Sequence, residues 1–313
     1  MFKEYKYPRE AYGKTLRQLG RERKDIVVVD ADLSSSTKTK FFADEFPDRF
    51  FNMGVAEQNM VGVAAGLATT GKTVFASSFA MFIVGRGYDQ IRQSIAYPKL
   101  NVKIVATHAG ITVGGDGASH QIIEDIALMC ALPNMSVFVP ADNVETEKII
   151  RSIADYRGPA YVRLGRSKVP TIYDQSYEFQ QGKASVLREG DDITIIALGI
   201  MVSEALIASE ELEKKGISAR VINMSTVKPI DREAIIKAAK ETGAIITAEE
   251  HNTIMGMGSL VASIVAENYP VYVYKCGIPD VFGESGDYRE LMEKYGLTSK
   301  NIIKAAENII RKR

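Results

Sequence analysis

Two hydrophobic periods alternate along the chain. Short runs rich in β-branched residues recur at 25 to 30 (DIVVVD), 72 to 77 (KTVFAS), 101 to 107 (NVKIVAT), 136 to 141 (SVFVPA) and 159 to 165 (PAYVRLG). Runs that are apolar at consecutive positions belong to parallel strands covered on both faces by helices. Between them, apolar residues at helical spacing predict helices near 9 to 23, 56 to 70, 80 to 97, 121 to 131 and 143 to 156. Strand and helix in strict alternation build a doubly wound α/β unit.

The rhythm breaks over residues 166 to 190, where Pro, Gly and polar residues show little periodicity. It resumes with DITIIALG (192 to 199), ISARVINM (217 to 224), AIITAEE (244 to 250) and VYVYKCG (271 to 277). Helices are predicted near 201 to 215, 231 to 242, 256 to 268, 287 to 295 and 299 to 312. Lys214, Lys215 and Gly216 close the first of these, cations at its negative end and glycine just past it. The expectation is two doubly wound α/β domains, residues 1 to 170 and 191 to 313, joined by a linker at 171 to 190.

Composition changes this picture mainly by exclusion. A chain of 313 residues is long enough for two cores. With 39 basic and 39 acidic side chains, no global field would hold a polyanion, which argues against a nucleic-acid partner. The opening MFKEYKYPREAYGKTL lacks the apolar core of a signal peptide, and no apolar stretch approaches the roughly 18 residues of a membrane span. A cytoplasmic protein is expected. Cys130 and Cys276, both in apolar surroundings, read as reduced core thiols.

Three segments carry candidate chemistry. In NMGVAEQNMVGVAAGLATTG (52 to 71), Glu57 opens a helix that is small and apolar on every side, so the helix is buried. A carboxyl group at its mouth is then either partly desolvated and kept as a proton donor, or exposed in a first turn that favours negative charge. In ATHAGITVGGDGASHQIIED (106 to 125), a glycine-rich loop follows a predicted strand and holds His108, Asp116 and His120. Open α/β sheets bind ligands at such strand ends, and these side chains can move protons and bond sugar hydroxyls. The third segment, VDADLSSSTKT (29 to 39), offers Asp32 and Ser36 at the same sheet edge, either as helix caps or as ligand contacts.

In this order the three segments resemble the pyrimidine domain of transketolase, and the resemblance continues through a C-terminal domain to the end of the chain. It implies thiamine diphosphate as coenzyme, with Glu57 of GVAEQNM bonding N1′ of the aminopyrimidine and favouring its imino tautomer. Phe79 and Phe82 in SSFAMF would stack on that ring, with Asp32 among the coenzyme contacts. His108, Asp116 and His120 would serve catalysis, His108 and Asp116 also bonding substrate hydroxyls. Arg9 in YPREA, Ser36 and Arg166 in VRLGRS would hold a sugar phosphate.

The resemblance also implies a partner. Gly115, Asp116 and Gly117 followed by Asp142 and Asn143 imitate the family's diphosphate and metal motif. The setting of that GDG in the pyrimidine-side loop, and Asp142 in place of the first asparagine, argue against the match. Magnesium or calcium would therefore be bound through an N-terminal transketolase subunit, in an α₂β₂ assembly acting on ketose and aldose phosphates. The neighbouring readings are a 1-deoxyxylulose-5-phosphate synthase-like chain, a 2-oxo acid dehydrogenase beta-like subunit, and a non-catalytic scaffold of the same fold.

Overall fold

A computed structural model describes residues 2 to 312. Its first half is built on a seven-stranded sheet in the order Thr226–Lys228, Ser136–Phe138, Ala160–Arg163, Val102–Thr107, Thr73–Phe79, Ile26–Asp30, Phe50–Asn52. All neighbours run parallel except Thr226–Lys228, which pairs antiparallel with Ser136–Phe138. The four central strands are buried at every residue, as their unbroken apolar runs require. Pro8–Glu22 and Asn143–Asp155 cover one face through Tyr12, Leu16, Ile149 and Ile153. Glu57–Thr69 and the helical stretch 81 to 96 cover the other through Met60, Ala64, Ile83 and Ile91.

Register sets where chemistry can gather. Asp30 lies opposite Ser77, and Phe79 opposite Thr107, so the ends of three adjacent strands open at one edge of the sheet. Helix Glu57–Thr69 starts at that edge, and so does the loop that follows Thr107.

The second sheet runs Tyr272–Ile278, Ala244–Asn252, Ile193–Ala197, Ala219–Asn223, Ser185–Arg188, with only the last strand antiparallel. Met201–Glu213 and Ser299–Ile310 pack on one face. Arg232–Thr242 and Met257–Asn268 pack on the other, in a cluster that runs without a break into the first half. Gly216, at φ +76°, takes the left-handed backbone that ends Met201–Glu213. Cys130 and Cys276 are free thiols whose burial pushes both up to about 12. Among the described residues no helix is long and apolar enough to cross a membrane.

Several short elements depart from the periodicity. Ser185–Arg188 falls in the stretch assigned to the linker yet forms an edge of the second sheet. Tyr5–Lys6 pairs with Val169–Pro170 in a two-residue ribbon. The helix expected from 121 starts at Asp125, because Gln121 is held back in the loop, donating to the carbonyls of Ile111 at 3.2 Å and Glu284 at 2.9 Å. The helix expected over 80 to 97 forms, but its two ends, Met81–Arg86 and Ile91–Ala96, are wound as wider π turns.

A buried polar network ties the halves together beneath the 108 to 120 loop. Arg163 Nε donates to Asp125 at 2.9 Å, Tyr161 donates to the same carboxylate at 2.6 Å, and Arg163 Nη2 donates to the Glu250 carbonyl at 2.8 Å. Glu250 in turn accepts the Thr112 N–H at 2.7 Å. Burial holds the Glu250 carboxyl above its ordinary range, outweighing the nearby Arg163. The loop's position therefore depends on a side chain from the second sheet.

Candidate active site

Glu57 begins its helix only 3% exposed, so its carboxylate is buried rather than exposed in the first turn. Its carboxylate does not stand alone. Arg86 Nη1 lies 3.1 Å from each oxygen, and the same guanidinium sits 4.3 Å over the Phe82 ring. Arg86 carries no sequence signal of this role. It reaches both groups because the π turn of Met81–Arg86 carries Phe82 and Arg86 together past the end of Thr73–Phe79.

The two phenylalanines differ. Phe79 is nearly buried, and His108 stacks on it with ring centroids 3.7 Å apart. Phe82 is partly open, 5.7 Å from Phe79 and 5.2 Å from His120, which meets it edge-on. Four of the expected residues thus form one aromatic wall beside Glu57. His108 takes a left-handed backbone, φ +59°, and its Nδ1 pairs with the Thr107 hydroxyl at 2.8 Å. Burial, joined by Arg9, Arg166, His120 and Lys38, drives its pKa down to about 3. The imidazole is therefore neutral at working pH, with Nε2 free of any hydrogen bond to a described residue. His120 pairs its Nδ1 with Ser119 at 3.0 Å. Asp116 ends a 3₁₀ turn, is exposed, and makes no hydrogen bond or ion pair to a described residue.

The loop after Ile26–Asp30 is organised by a residue that the motif reading passed over. Asp30, fully buried, accepts the Leu33 N–H at 2.7 Å and the hydroxyls of Thr37 and Thr39, each at 2.8 Å. An acid ending a buried strand was the available signal. Asp32 is exposed at φ +62° and exchanges two hydrogen bonds with Asn52, at 2.8 and 3.0 Å. Ser36 receives Arg9 Nη1 on its carbonyl at 3.0 Å, leaving its hydroxyl uncommitted.

Beside this wall opens a cleft of about 370 Å³ lined by Tyr7, Arg9, Gly114, Arg166, Lys168 and Asp287 among others. Arg166 donates to the Val113 carbonyl, and its guanidinium lies against Gly114, where φ is +79° and a side chain would be strained and close to the Gly286 carbonyl. Burial and the proximity of Arg166 hold the Arg9 guanidinium below its ordinary pKa. Arg9 Nε is buried without a partner, and neither arginine pairs with a carboxylate among the described residues. Converging arginines with unused donors suit a tetrahedral anion.

Asp142 and Asn143 are occupied elsewhere. Asp142 caps Asn143–Asp155 through the Glu145 N–H at 2.8 Å and accepts the N–H groups of Ile172 and Tyr173, while Asn143 accepts the Thr171 hydroxyl at 2.7 Å. The chemistry of the wall suits an aminopyrimidine, since a planar polar heterocycle needs an apolar face and a buried carboxylate at its edge; Phe82 and Glu57 are of these kinds, and Arg86, which covers both, would have to withdraw from them.

Residues 7 to 171 match the family described as "Transketolase, pyrimidine binding domain", and residues 182 to 302 match "Transketolase, C-terminal domain". A Methanocaldococcus jannaschii protein named "Putative transketolase C-terminal section" is 55% identical over 96% of this chain and 95% of its own length. A 6-deoxy-6-sulfo-D-fructose transketolase subunit of Clostridium sp. is 44% identical over 96% of this chain and 94% of its own length. A solved structure titled "Split gene transketolase, inactive beta4 tetramer" superposes with a TM-score of 0.91 at 56% identity, covering 97% of this chain and 98% of that one. The chain belongs to the transketolase family, in the pyrimidine-binding and C-terminal arrangement of the C-terminal section that it resembles.

Proposed function

We propose that this chain is the C-terminal subunit of a split transketolase that moves a two-carbon ketol unit from a ketose phosphate to an aldose phosphate. It would do so with an N-terminal subunit carrying the diphosphate and metal site, as α₂β₂ in the cytoplasm. The observation that carries this reading is the buried carboxylate of Glu57 beside the partly exposed ring of Phe82, both held by Arg86, next to a cleft of arginines that pair with no carboxylate among the described residues. The relative titled as a split transketolase in an inactive beta4 form supports the need for a second kind of subunit.

Thiamine diphosphate, when bound, would supply a nucleophilic carbon and an electron sink for carbon–carbon bond exchange. Everything else falls to side chains. Glu57 gives or accepts a proton at the edge of the aminopyrimidine, and its buried position gives that hydrogen bond weight that water would cancel. Taking up this role requires Arg86 to release at least one carboxylate oxygen. Phe82 supplies the stacking face once Arg86 moves off it, while Phe79 acts behind it by holding the His108 ring. Neutral His108 can bond a substrate hydroxyl through Nε2 without bringing a positive charge beside Arg9 and Arg166. His120 and Asp116 contribute further hydroxyl contacts from the loop, Asp32 and Ser36 flank the entrance, and Arg9 with Arg166 fixes the substrate's anionic end.

The test is reconstitution. The purified chain alone transfers no ketol units, and a diphosphate-binding subunit restores transfer. In that complex Glu57→Gln lowers turnover at least about a hundredfold at saturating coenzyme. Full activity of the isolated chain, or near wild-type turnover of the variant, refutes the assignment.

A further inference from the structure

Three cations, not two, converge on the cleft that the proposed function gives to the substrate's charged end. Lys168 Nζ lies 5.2 Å from the centre of the Tyr7 ring, and the Arg9 guanidinium lies 5.1 Å from the centre of that same ring. The juxtaposition is built in. Lys6 pairs with Val169 and Tyr5 with Pro170 in the small antiparallel ribbon, and Thr171 N–H donates to the Glu4 carbonyl at 2.9 Å. This ribbon places residues 7 and 168 side by side, each one step from the same paired position. Tyr7 is itself fixed as the residue before Pro8, which opens the first helix.

Acids near the cluster form no ion pair with it; Glu10 acts on Arg9 only through space. Glu4 pairs with Lys6 at 2.9 Å, and no carboxylate pairs with Arg9, Arg166 or Lys168 among the described residues. Asp287 lines the same cleft, but one of its oxygens accepts the Arg289 N–H at 2.9 Å as the cap of Tyr288–Lys294.

We propose that Lys168 is a specificity residue, and that with it the cleft selects a terminal group bearing two negative charges over one bearing a single charge. The proposal rests on the cleft being the anion site of the function given above. Two arginine forks match the oxygens of a phosphate and a sulfonate almost equally, so geometry at Arg9 and Arg166 discriminates weakly. Charge discriminates better. Coulomb attraction to one further cation is proportional to the ligand's charge, so Lys168 adds about twice as much free energy for a dianion as for a monoanion. Its exposure reduces the effect through solvent screening without changing the ratio. Lysine suits this purpose because its ammonium is a mobile point charge that imposes no planar geometry.

The experiment titrates methyl phosphate and methanesulfonate into the full-length chain at pH 7.5 and low salt, reading dissociation constants from ligand-observed NMR. The wild type binds the phosphate more tightly. Lys168→Met weakens methyl phosphate about tenfold and methanesulfonate about threefold, and Lys168→Arg restores the preference. Lowering the pH through the second ionisation of the phosphate, near about 6, erodes wild-type phosphate affinity more steeply than that of Lys168→Met. Arg166→Met weakens both probes and serves as the site control. If Arg166→Met abolishes binding but Lys168→Met leaves the ratio of the two constants unchanged, the role of Lys168 is overturned. If neither probe responds to Arg166→Met, the anion cleft itself is refuted, and the proposal falls with it.

Discussion

His108 is held against Phe79 in a backbone conformation that few side chains adopt, and its environment keeps it uncharged. Its pKa of about 3 lies below the ordinary 6.5, so as pH falls through 6.5 the unfolded chain takes up the proton first. Above pH 6.5 the group contributes no pH dependence, and between 6.5 and about 3 folding stability drops with falling pH. The slope from this one group reaches at most about 1.4 kcal/mol per pH unit. Urea unfolding at pH 7.5, 6.0 and 5.0 is expected to show a shallower decline for His108→Gln than for the wild type; identical slopes would show that the imidazole titrates normally. The same residue marks what was legible in the sequence. The clustering of His108, Asp116 and His120 in a glycine-rich loop was visible, because chemistry-bearing residues close in sequence stand out. That Asp116 is exposed was not, since the loop's course is fixed by long-range bonds, Glu250 accepting from Thr112 and Gln121 donating to the Glu284 carbonyl.

Elements built from long apolar runs were readable to within a few residues, because burial on both faces leaves its mark at every position. Glu57–Thr69 and Arg232–Thr242 illustrate this, lying within a residue or so of the spans that spacing predicts. The ribbon Tyr5–Lys6 with Val169–Pro170 was invisible, since two residues show no period and its strands are distant in sequence. Arg86 was missed for a related reason: π turns have no distinct apolar period, yet they deliver its guanidinium to Glu57. The Ala244–Asn252 strand shows how strongly elements depend on one another, because Glu250 near its end anchors the loop that carries the candidate site. Glu250→Ala leaves the buried Thr112 N–H without its acceptor while Arg163 keeps Asp125, and is expected to cost about 1 to 3 kcal/mol. Hydrogen exchange should report faster opening around residues 110 to 117 than elsewhere in the variant. Uniform acceleration across the chain would assign Glu250 a purely global role.

At the scale of the whole molecule, the two α/β units do not keep separate interiors. One apolar cluster runs from Val74 and Ile104 in the first sheet through Val137 and Val227 to Ile196 and Val261 in the second unit. Breaking it exposes apolar surface from both halves at once, which couples their unfolding. Calorimetry is expected to show one cooperative transition, and two resolved transitions would mean that the halves melt independently. The strand Thr226–Lys228 extends this coupling to the backbone, since it leaves its own unit to complete the other's sheet beside Ser136–Phe138. Recombination that exchanged the second unit for an unrelated domain would uncover the raw flank of the first, inviting other chains to adhere there. The lent strand thereby acts as a hereditary tether, and descendants of this chain must carry both units forward as one block.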